Sequence, residues 1–521
     1  MASTSVPNRS TSGDKAHSET LETTSADIEK RGGHNLHSAA ERGFVATDRY
    51  GESLVKFDPE AERKLRNKLD YMVVPTVSIL YLFCFIDRTN VGNARLAGFE
   101  RDLGLVGNDY NTVLSIFYIS YIIFEIPATL ACKWIGPGWF IPAISLGFGI
   151  SSIGTAFVRT KSAACGVRFV LGVFEAGMIP GISYYLSRWY RRSELAFRLS
   201  LFIVMAPLAG AFGGLLASGI LTLDHFGSLH SWRMIFGIEG IITIGLSIIA
   251  FFTLTDRPET ARWLTQEEKD LAIARVKSER MAQTSVLDKP DKNKLWLGFW
   301  NPMVLTTAFT FLLNNITVQG LSFFTPTIVS TIYPTKTTIE KQLYTVPPYV
   351  VGAVFVVGLS LGSWRFDRRT IFIIASAPLT ILGYILFLAR HEARVRYAAA
   401  FLAAISTFAM GALTNAQVAA VVVSDTSRSM AIGTNVVFGN IGGLIATWSY
   451  LPWDGPDYKI GNGINLAAAG LILIIAVGQL VWMKWDNKRR DGRDIDSELE
   501  GMTDTEIESL EWKHPGFRWR P

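Results

Sequence analysis

The stretch YLFCFIDRTNVGN, from Tyr81 to Asn93, places an acid and a base inside an apolar run that begins near Tyr71. Asp87 and Arg88 are reached before this run has finished crossing a bilayer. A charge at that depth costs roughly 2.5–3.5 kcal/mol on insertion scales, so it is retained when it is paired, hydrated or used. We interpret the two residues as part of a site that handles charged groups.

A second acid and base occur in the later run RFVLGVFEAGMIPG. Arg168 and Glu175 are seven residues apart there, which is two helical turns and therefore one face of one helix. Asp87 and Arg168 come to similar depth if their helices run in opposite directions, so the two can pair. Glu175 lies nearer the midplane, where burial favours a neutral carboxyl. Two acids and two bases inside apolar helices predict a site for protons and an anion.

These residue types support a hypothesis about their roles. Arginine stays charged at physiological pH, so Arg88 is expected to bind the carboxylate of a substrate. Glu175 and Asp87 are expected to carry coupled protons, and Arg168 to bias their protonation. The alternative is a static Asp87–Arg168 salt bridge beside a buried, neutral Glu175.

Other polar residues inside the apolar runs differ between the two halves of the chain. Glu125 and Glu239 belong to the first half, and we expect structural or gating roles for them. The second half has no acid or base inside its apolar runs but carries amides. Such amides orient polar ligands in pockets, or alternatively join helices by hydrogen bonds of about 1 kcal/mol or less. The amides predicted to bind substrate together with Arg88 are Asn315, Gln319, Asn415 and Asn440.

Length and composition indicate which elements position these side chains. The chain has 521 residues, of which 49% are hydrophobic and only 18% charged, and this excludes a soluble protein. Apolar runs of about 20 residues, enough to cross a ~30 Å hydrocarbon core, recur along it. The sequence therefore predicts an all-α integral membrane protein with twelve transmembrane helices, near residues 71–91, 110–132, 138–157, 163–186, 196–222, 233–254, 301–330, 345–364, 371–389, 397–423, 430–450 and 463–484.

The polar stretches divide the chain into five predicted regions. Residues 1–66 are expected to be a disordered cytoplasmic tail without a signal peptide, and 486–521 a cytoplasmic C-terminal tail. Residues 67–254 and 301–485 are expected to form six-helix bundles. Residues 255–300 form a cytoplasmic loop, in which Thr265 and Glu268 predict a capping box that opens an amphipathic helix through about Met281. Basic residues near the first span, in this loop and after the last span place both termini in the cytoplasm.

Several classes of function lack their residues in this sequence. Cys84, Cys132 and Cys165 are too widely spaced for a zinc site or a disulfide framework. The histidines fall in tails and loops, and no HExxH, GxSxG or P-loop pattern occurs. No basic stripe interleaves with aromatic residues, as nucleic-acid binding would require. We therefore expect no catalytic residue, no metal, no cofactor and no nucleic-acid partner.

Seven motifs between about Lys68 and Arg490 carry a family resemblance. They are FIDRTNVGNARLAG, FYISYIIFEIPATL, RFVLGVFEAGMIPGISYYLSRWYRR, SWRMIFGIEGI, DRPETARWLT, TVPPYVVG and NVVFGNIGGLIA. With them the chain resembles the major facilitator superfamily, and within it the anion:cation symporter family in its fungal allantoate, nicotinate and pantothenate permease branch. The resemblance implies two six-helix bundles around a central cavity, with alternating access and proton-driven uptake of small organic anions. In bacterial sugar-acid relatives, residues matching Asp87, Arg88, Arg168 and Glu175 serve coupling and substrate binding.

One superfamily motif departs from its usual form. The loop between spans two and three normally carries an Asp and paired bases, but here it reads CKWIGPGW and has no acid. Its second-half counterpart WRFDRR keeps Asp367 and Arg368, for which we expect gating or structural roles. The gating contact of the first half therefore lacks an identified acid.

The combined expectation is a monomeric multi-pass protein, in the plasma membrane, that uses the proton gradient as its energy source. Its partners would be a small organic anion, protons and the lipid bilayer. The alternatives are an exporter of an acidic metabolite and a nutrient sensor that binds its ligand without transporting it. Several carboxylates would satisfy Arg88 equally, so the sequence does not name the substrate.

Overall fold

A computed structural model describes residues 57–277, 292–422, 425–493, 495–499, 501–502, 506 and 510–519. Within these ranges it has twelve helices long and apolar enough to cross a membrane, and no β-strand. The predicted all-α membrane fold with twelve spans is thereby confirmed. The spans are α1 Val74–Leu96, α2 Asp109–Ile135, α3 Pro137–Ala156, α4 Lys161–Glu175 continued by Met178–Trp189, α5 Met205–Ile220, α6 Trp232–Thr253, α7 Pro302–Ile332, α8 Thr338–Phe366, α9 Arg369–Ala389, α10 Ala393–Ala420, α11 Asp425–Thr447 and α12 Lys459–Asp491.

The spans are helical because a bilayer offers no hydrogen bonds to the backbone, so each segment must satisfy its own N–H and C=O groups. Their ends carry recognisable stop and start signals. Gly136 has φ of 97°, which favours glycine, and Pro137 then opens α3. Asn301 caps α7 by accepting a hydrogen bond from the Met303 backbone N–H at 2.9 Å.

The two six-helix halves meet mainly where α1 packs on α7, α2 on α11, and α5 on α8. Glycines permit the closest approaches. A Cβ on Gly92 of α1 would lie 2.6 Å from the carbonyl oxygen of Phe323 on α7. Within the first half, Gly172 of α4 allows the same closeness to Ser120 and to the Phe117 carbonyl of α2. These glycines thus set the distances between the helices that they join.

The sequence identified no acid for the loop between α2 and α3, but in the structure Asp256, just after α6, lies at this loop. The Asp256 carboxylate lies beside Gly136, which separates α2 from α3, and accepts a hydrogen bond from the backbone N–H of Gly138 in the first turn of α3 at 3.4 Å. Arg188 at the end of α4 pairs with it, with Nη1 at 3.3 Å from Oδ2, and donates to the Tyr184 hydroxyl at 2.9 Å. In the second half, Asp367 pairs with Arg369 at 3.1 Å, whereas the Arg368 side chain is exposed.

The end of the chain folds back onto the second half. Trp519 is 2% exposed, and its indole N–H donates to the Asp486 carboxylate of α12 at 2.7 Å. It packs in a cluster with Met303 of α7, Val418 of α10 and Met483 of α12. The described residues 510–519, which we call the C-terminal clasp, therefore belong to the folded core. The sequence had suggested a plain polar tail there.

A separate compact unit contains, among the described residues, 57–68 and 257–277. Its helix Gln266–Lys277 opens with the predicted capping box. The Glu268 backbone N–H donates to Thr265 Oγ1 at 3.3 Å, and the Thr265 N–H donates to Glu268 Oε2 at 2.9 Å. Lys68 also binds Glu268, at 2.6 Å. The capping box is confirmed; the predicted end of this helix near Met281 lies outside the described residues.

Candidate functional site

Two buried ion pairs connect α1 with α4. Arg88 Nε lies 2.6 Å from Glu175 Oε2, and these side chains are 3% and 0% exposed. Arg168 Nη1 lies 3.8 Å from Asp87 Oδ2, and the Ser152 hydroxyl of α3 donates to Asp87 Oδ1 at 2.7 Å. The structure thus brings together all four residues predicted to handle protons and anion.

Their pairing follows from helix geometry. Asp87 and Arg88 are neighbours in sequence, so their side chains leave α1 about 100° apart. Arg168 and Glu175 lie two turns apart on one face of α4, and each opposes a different α1 residue. Arg88 is consequently held by a carboxylate of the protein, whereas the sequence hypothesis left it free for a substrate.

Aromatic rings surround the Arg88 guanidinium. Its central carbon lies 5.0 Å from the ring centroid of Tyr121, 5.2 Å from Phe117 and 5.6 Å from Phe85. Faces of aromatic rings attract cations, and they hold this one without competing for its N–H donors. Phe117 and Tyr121 are four residues apart on α2, a spacing that could have indicated one aromatic face.

Several buried polar atoms around this pair have no hydrogen-bond partner. They include Arg88 Nη2, Glu175 Oε1 and the Tyr118 hydroxyl. The Tyr118 ring contacts Gly443 of α11, so these groups lie next to the second half. Buried polar groups are costly when unpaired, so unused donors and an acceptor are what a binding site for a small polar ligand presents.

The two remaining acids are bound by amides. The Asn440 amide of α11 donates to Glu125 Oε2 of α2 at 3.0 Å. The Asn90 amide of α1 donates to Glu239 Oε2 of α6. Glu125, which we expected to act in gating, therefore connects the two halves of the molecule. Asn440, which we expected to bind substrate, is its partner.

The other second-half amides divide into bonded and unbonded groups. Asn315 donates to the Phe311 carbonyl at 2.9 Å, and Asn415 accepts from Asn435 at 2.9 Å. Gln319 Oε1 is buried without a partner, and so are both polar atoms of Asn314. Among these amides, Gln319, Asn314 and Asn435, whose Oδ1 is also unbonded, keep free hydrogen-bonding capacity.

An apolar groove of about 580 Å³ lies apart from these charged residues. It is lined by Ile116, Ile119 and Ser115 of α2 and by Leu444, Ile445 and Trp448 at the end of α11. Its lining carries no charged side chain, so the groove does not suit an anion. Among the described residues, no group of three or more His, Cys, Asp or Glu side chains is arranged to hold a metal.

Comparisons with known proteins agree with this architecture. The family model of the Major Facilitator Superfamily matches residues 77–447. An uncharacterized transporter of Schizosaccharomyces pombe is 31% identical over 89% of this chain and 91% of its own. The high-affinity nicotinic acid transporter of Saccharomyces cerevisiae is 30% identical over 92% of this chain and 89% of its own.

Solved structures show the same fold. A bacterial homolog of the human lysosomal transporter Spinster, in an inward-facing and unoccupied conformation, aligns with a TM-score of 0.58 and 14% identity. The alignment covers 81% of this chain and 96% of that one. The family match, the fungal relatives and the twelve-helix fold together identify this chain as a multi-pass membrane transporter that belongs to the Major Facilitator Superfamily.

Proposed function

We propose that this transporter is a proton-coupled symporter that takes up a small organic anion by alternating access. We further propose that it belongs to the anion:cation symporter family, in the fungal allantoate, nicotinate and pantothenate branch. The observation that carries the proposal is the buried Arg88–Glu175 pair at 2.6 Å, with one unbonded donor and one unbonded acceptor left on it. The nicotinic acid transporter among the relatives supports a carboxylate as substrate.

The proposed coupling is an exchange of partners at Arg88. While Glu175 is ionised, its carboxylate neutralises the charge of Arg88, so a substrate anion binds weakly at this site. A proton on Glu175 removes that charge and leaves the arginine, which cannot be deprotonated, to bind the substrate carboxylate. Loss of the proton on the other side restores the Glu175–Arg88 pair and expels the anion. Proton and anion therefore bind and leave together.

The second ion pair has a supporting role in this scheme. Asp87 faces Arg168 across a longer gap of 3.8 Å and is also held by Ser152. We assign it a second protonation step and assign Arg168 the electrostatic bias on both acids. Gln319 and Asn314 would orient uncharged parts of the substrate. The proton gradient would supply the energy for transport. The transporter would act as a monomer in the plasma membrane, with both termini in the cytoplasm.

The test uses purified protein in liposomes with an imposed pH gradient. Labelled nicotinate, pantothenate and allantoate are offered one at a time, and both net accumulation and exchange are measured. Glu175→Gln is expected to abolish accumulation driven by the proton gradient while exchange of the bound anion continues. Glu392→Gln, at an exposed loop position, serves as the control and should behave as wild type.

Three results would decide against the proposal. Accumulation by Glu175→Gln equal to wild type would remove the coupling role of Glu175. Movement of the labelled anion in the direction opposite to the proton flux would indicate an exporter. Binding of an anion without exchange or accumulation would indicate a sensor.

A further inference from the structure

The buried acids of the first half fall into two classes by the partners they meet. Asp87 and Glu175 each face an arginine. In the described part of the chain, no ion pair involves Glu125 or Glu239, and each is hydrogen-bonded by one asparagine amide. The second carboxylate oxygen of both residues is buried without any hydrogen-bond partner. These two side chains are 2% and 3% exposed.

A carboxyl group in that environment is more stable in its neutral form than in its ionised form. An ionised carboxylate removed from water without a countercharge is strongly disfavoured, and the group takes up a proton instead. An asparagine amide can donate to a neutral carboxylic acid as well as to an anion, so the observed bonds suit the protonated form. Glu125 and Glu239 therefore satisfy this arrangement best when each carries a proton.

The two acids differ in what their amide bond connects. Glu239 is bonded to Asn90, and both belong to the first six helices. Glu125 on α2 is bonded to Asn440 on α11, so its bond crosses between the halves. We call the line of contacts between these two helices the α2–α11 seam. It begins where Asn111 donates to the Thr447 carbonyl at 2.6 Å and reaches the Glu125–Asn440 bond about four turns further along α2.

We infer that Glu125 is a proton-binding residue of the transport cycle, and that its protonation is what permits the α2–α11 seam to close. This inference rests on the proposed proton-coupled function and adds a site to it. Closure removes water from the carboxyl and therefore favours its neutral form. Opening readmits water, which stabilises the ionised form and lets the proton leave. The state of one side chain is thus linked to the approach of the two halves.

The surroundings of Glu125 contain few other charges. Arg88 on α1 and Tyr121 on α2 itself interact with it electrostatically. From α4, the nearby acid Glu175 is already bonded to Arg88. No Asp, Glu, His, Lys or Arg occurs in α3 or in the part of α11 from Met430 to Thr447; the charged residues of α11, Asp425 and Arg428, lie in its first turn. Arg88 is the cation that a deprotonated Glu125 would meet, which ties this site to the substrate site.

The inference is tested by following the seam as a function of pH without any substrate. Spin labels are placed on cysteines introduced at Val106 and Trp453, which are 74% and 65% exposed and flank the start of α2 and the end of α11. The three native cysteines are replaced by alanine. Distances are measured by electron paramagnetic resonance in nanodiscs from about pH 5 to about pH 9, a range that covers raised carboxyl pKa values.

In wild type, the fraction of molecules with the short distance should fall as pH rises. Glu125→Gln, which is neutral at every pH, should keep the short distance throughout and lose the titration. Asn440→Ala leaves the Glu125 carboxyl in place but removes the amide bond that the closed seam makes. Because closure is then weaker, the midpoint of the distance change should move to lower pH by about one unit. Glu239→Gln is the matched control, since it changes an amide-bonded acid inside one half, and it should titrate as wild type does.

Two outcomes overturn the inference. One is a pH response of Glu125→Gln that superimposes on the wild-type curve. The other is a wild-type distance that does not change with pH. Failure of the proposed function is recognised separately, because it is judged by anion uptake in liposomes. Proton-driven uptake with an unresponsive seam would reject only the role of Glu125, whereas a titrating seam without anion uptake would reject the symport proposal.

Discussion

At the scale of single residues, the charged site depends on which side chains of α1 face α4. Asp87 lies opposite Arg168, and Arg88 lies opposite Glu175, with Nε and Oε2 2.6 Å apart. The Arg88 guanidinium therefore binds a carboxylate through one nitrogen, while its Nη2 has no hydrogen-bond partner.

Arg88→Lys is expected to reduce transport at least ten-fold while leaving the protein folded. A lysine ammonium is a compact point charge, so it cannot bind Glu175 through one nitrogen and offer a second planar donor to the anion. The measurement is initial uptake in liposomes, normalised to the amount of protein incorporated. Arg101→Lys provides the control, since Arg101 is 84% exposed and its ion pair among the described residues is with its neighbour Asp102. Equal losses in both variants would contradict a special role for the Arg88 guanidinium.

Sequence patterns located this charged site but did not determine its pairs. Depth and spacing predicted that Asp87 lies near Arg168, and the structure has that ion pair. Arg88 was expected to be free for a substrate, yet it is bonded to Glu175. The difference arises because the rotation of α1 about its own axis decides which side chain faces α4. That rotation is set by packing against several helices at once, which no local pattern records.

Asp87→Asn is expected to destabilise the protein by about 3–5 kcal/mol, because it leaves the buried Arg168 cation without its partner. The double variant Asp87→Asn with Arg168→Gln removes both charges and should recover a large part of that loss. Thermal unfolding followed by size-exclusion chromatography measures both variants. Additive losses would mean that the 3.8 Å approach of the two groups carries no coupling energy.

At the scale of elements, the twelve spans were predictable because apolar length alone specifies a membrane helix. The packing of the spans against one another was not predictable from the sequence. The break in α4 between Glu175 and Met178, and the close approach of α4 to α2 at Gly172, depend on neighbouring helices. The capping box at Thr265 was predictable because both partners lie within one helical turn of sequence.

Gly172→Ala is expected to destabilise the first half by about 1–3 kcal/mol through overpacking. A methyl group there would collide with Ser120 and with the Phe117 carbonyl of α2, and backbone cannot move aside cheaply. Gly166→Ala on the same helix is the control, since no atom lies within 4 Å of a Cβ at that position. Melting temperatures of the two variants should separate clearly. Similar values would show that α2 and α4 can move apart without cost.

The Lys68–Glu268 contact should weaken in acid. Partial burial raises the pKa of Glu268, but hydrogen bonds from Lys68 and from the Thr265 backbone outweigh it, so the pKa is lowered overall. A carboxyl with a lowered folded-state pKa contributes stability above its unfolded pKa of about 4.3, and that contribution is lost as pH falls. Hydrogen exchange of Gln266–Lys277 should therefore be faster at about pH 4 than at neutral pH, after correction for intrinsic rates. Glu268→Gln should show a smaller change.

At the scale of the whole molecule, the C-terminal clasp was the feature least accessible from sequence. The segment WKHPGFRW reads as a polar, helix-breaking tail, yet Arg490 donates to the carbonyls of Trp512 and His514, and Asn487 bonds both backbone groups of Trp519. Ser427 at the start of α11 donates to Glu511 at 3.0 Å. These contacts join residues that are not neighbours in sequence, so the structural role of the tail is visible only in the folded second half.

Trp519→Ala is expected to cost about 3–5 kcal/mol, because it removes a buried aromatic side chain and leaves a cavity among Trp482, Trp512 and Phe517. Trp134→Ala, at a position that is 91% exposed, should change stability by no more than about 0.5 kcal/mol. Thermal unfolding of both variants in detergent measures the difference. A Trp519 variant as stable as the Trp134 variant would show that the clasp does not support the helices it touches.

The clasp also bears on the order in which the second half is assembled. All twelve spans precede Trp519 in sequence, so every span can be inserted before the clasp docks. Until it docks, Met303, Val418 and Met483 lack the aromatic side chain that covers them. Deletion of residues 510–519 would therefore yield a protein with every span in place but with an apolar patch exposed, and such a patch promotes aggregation.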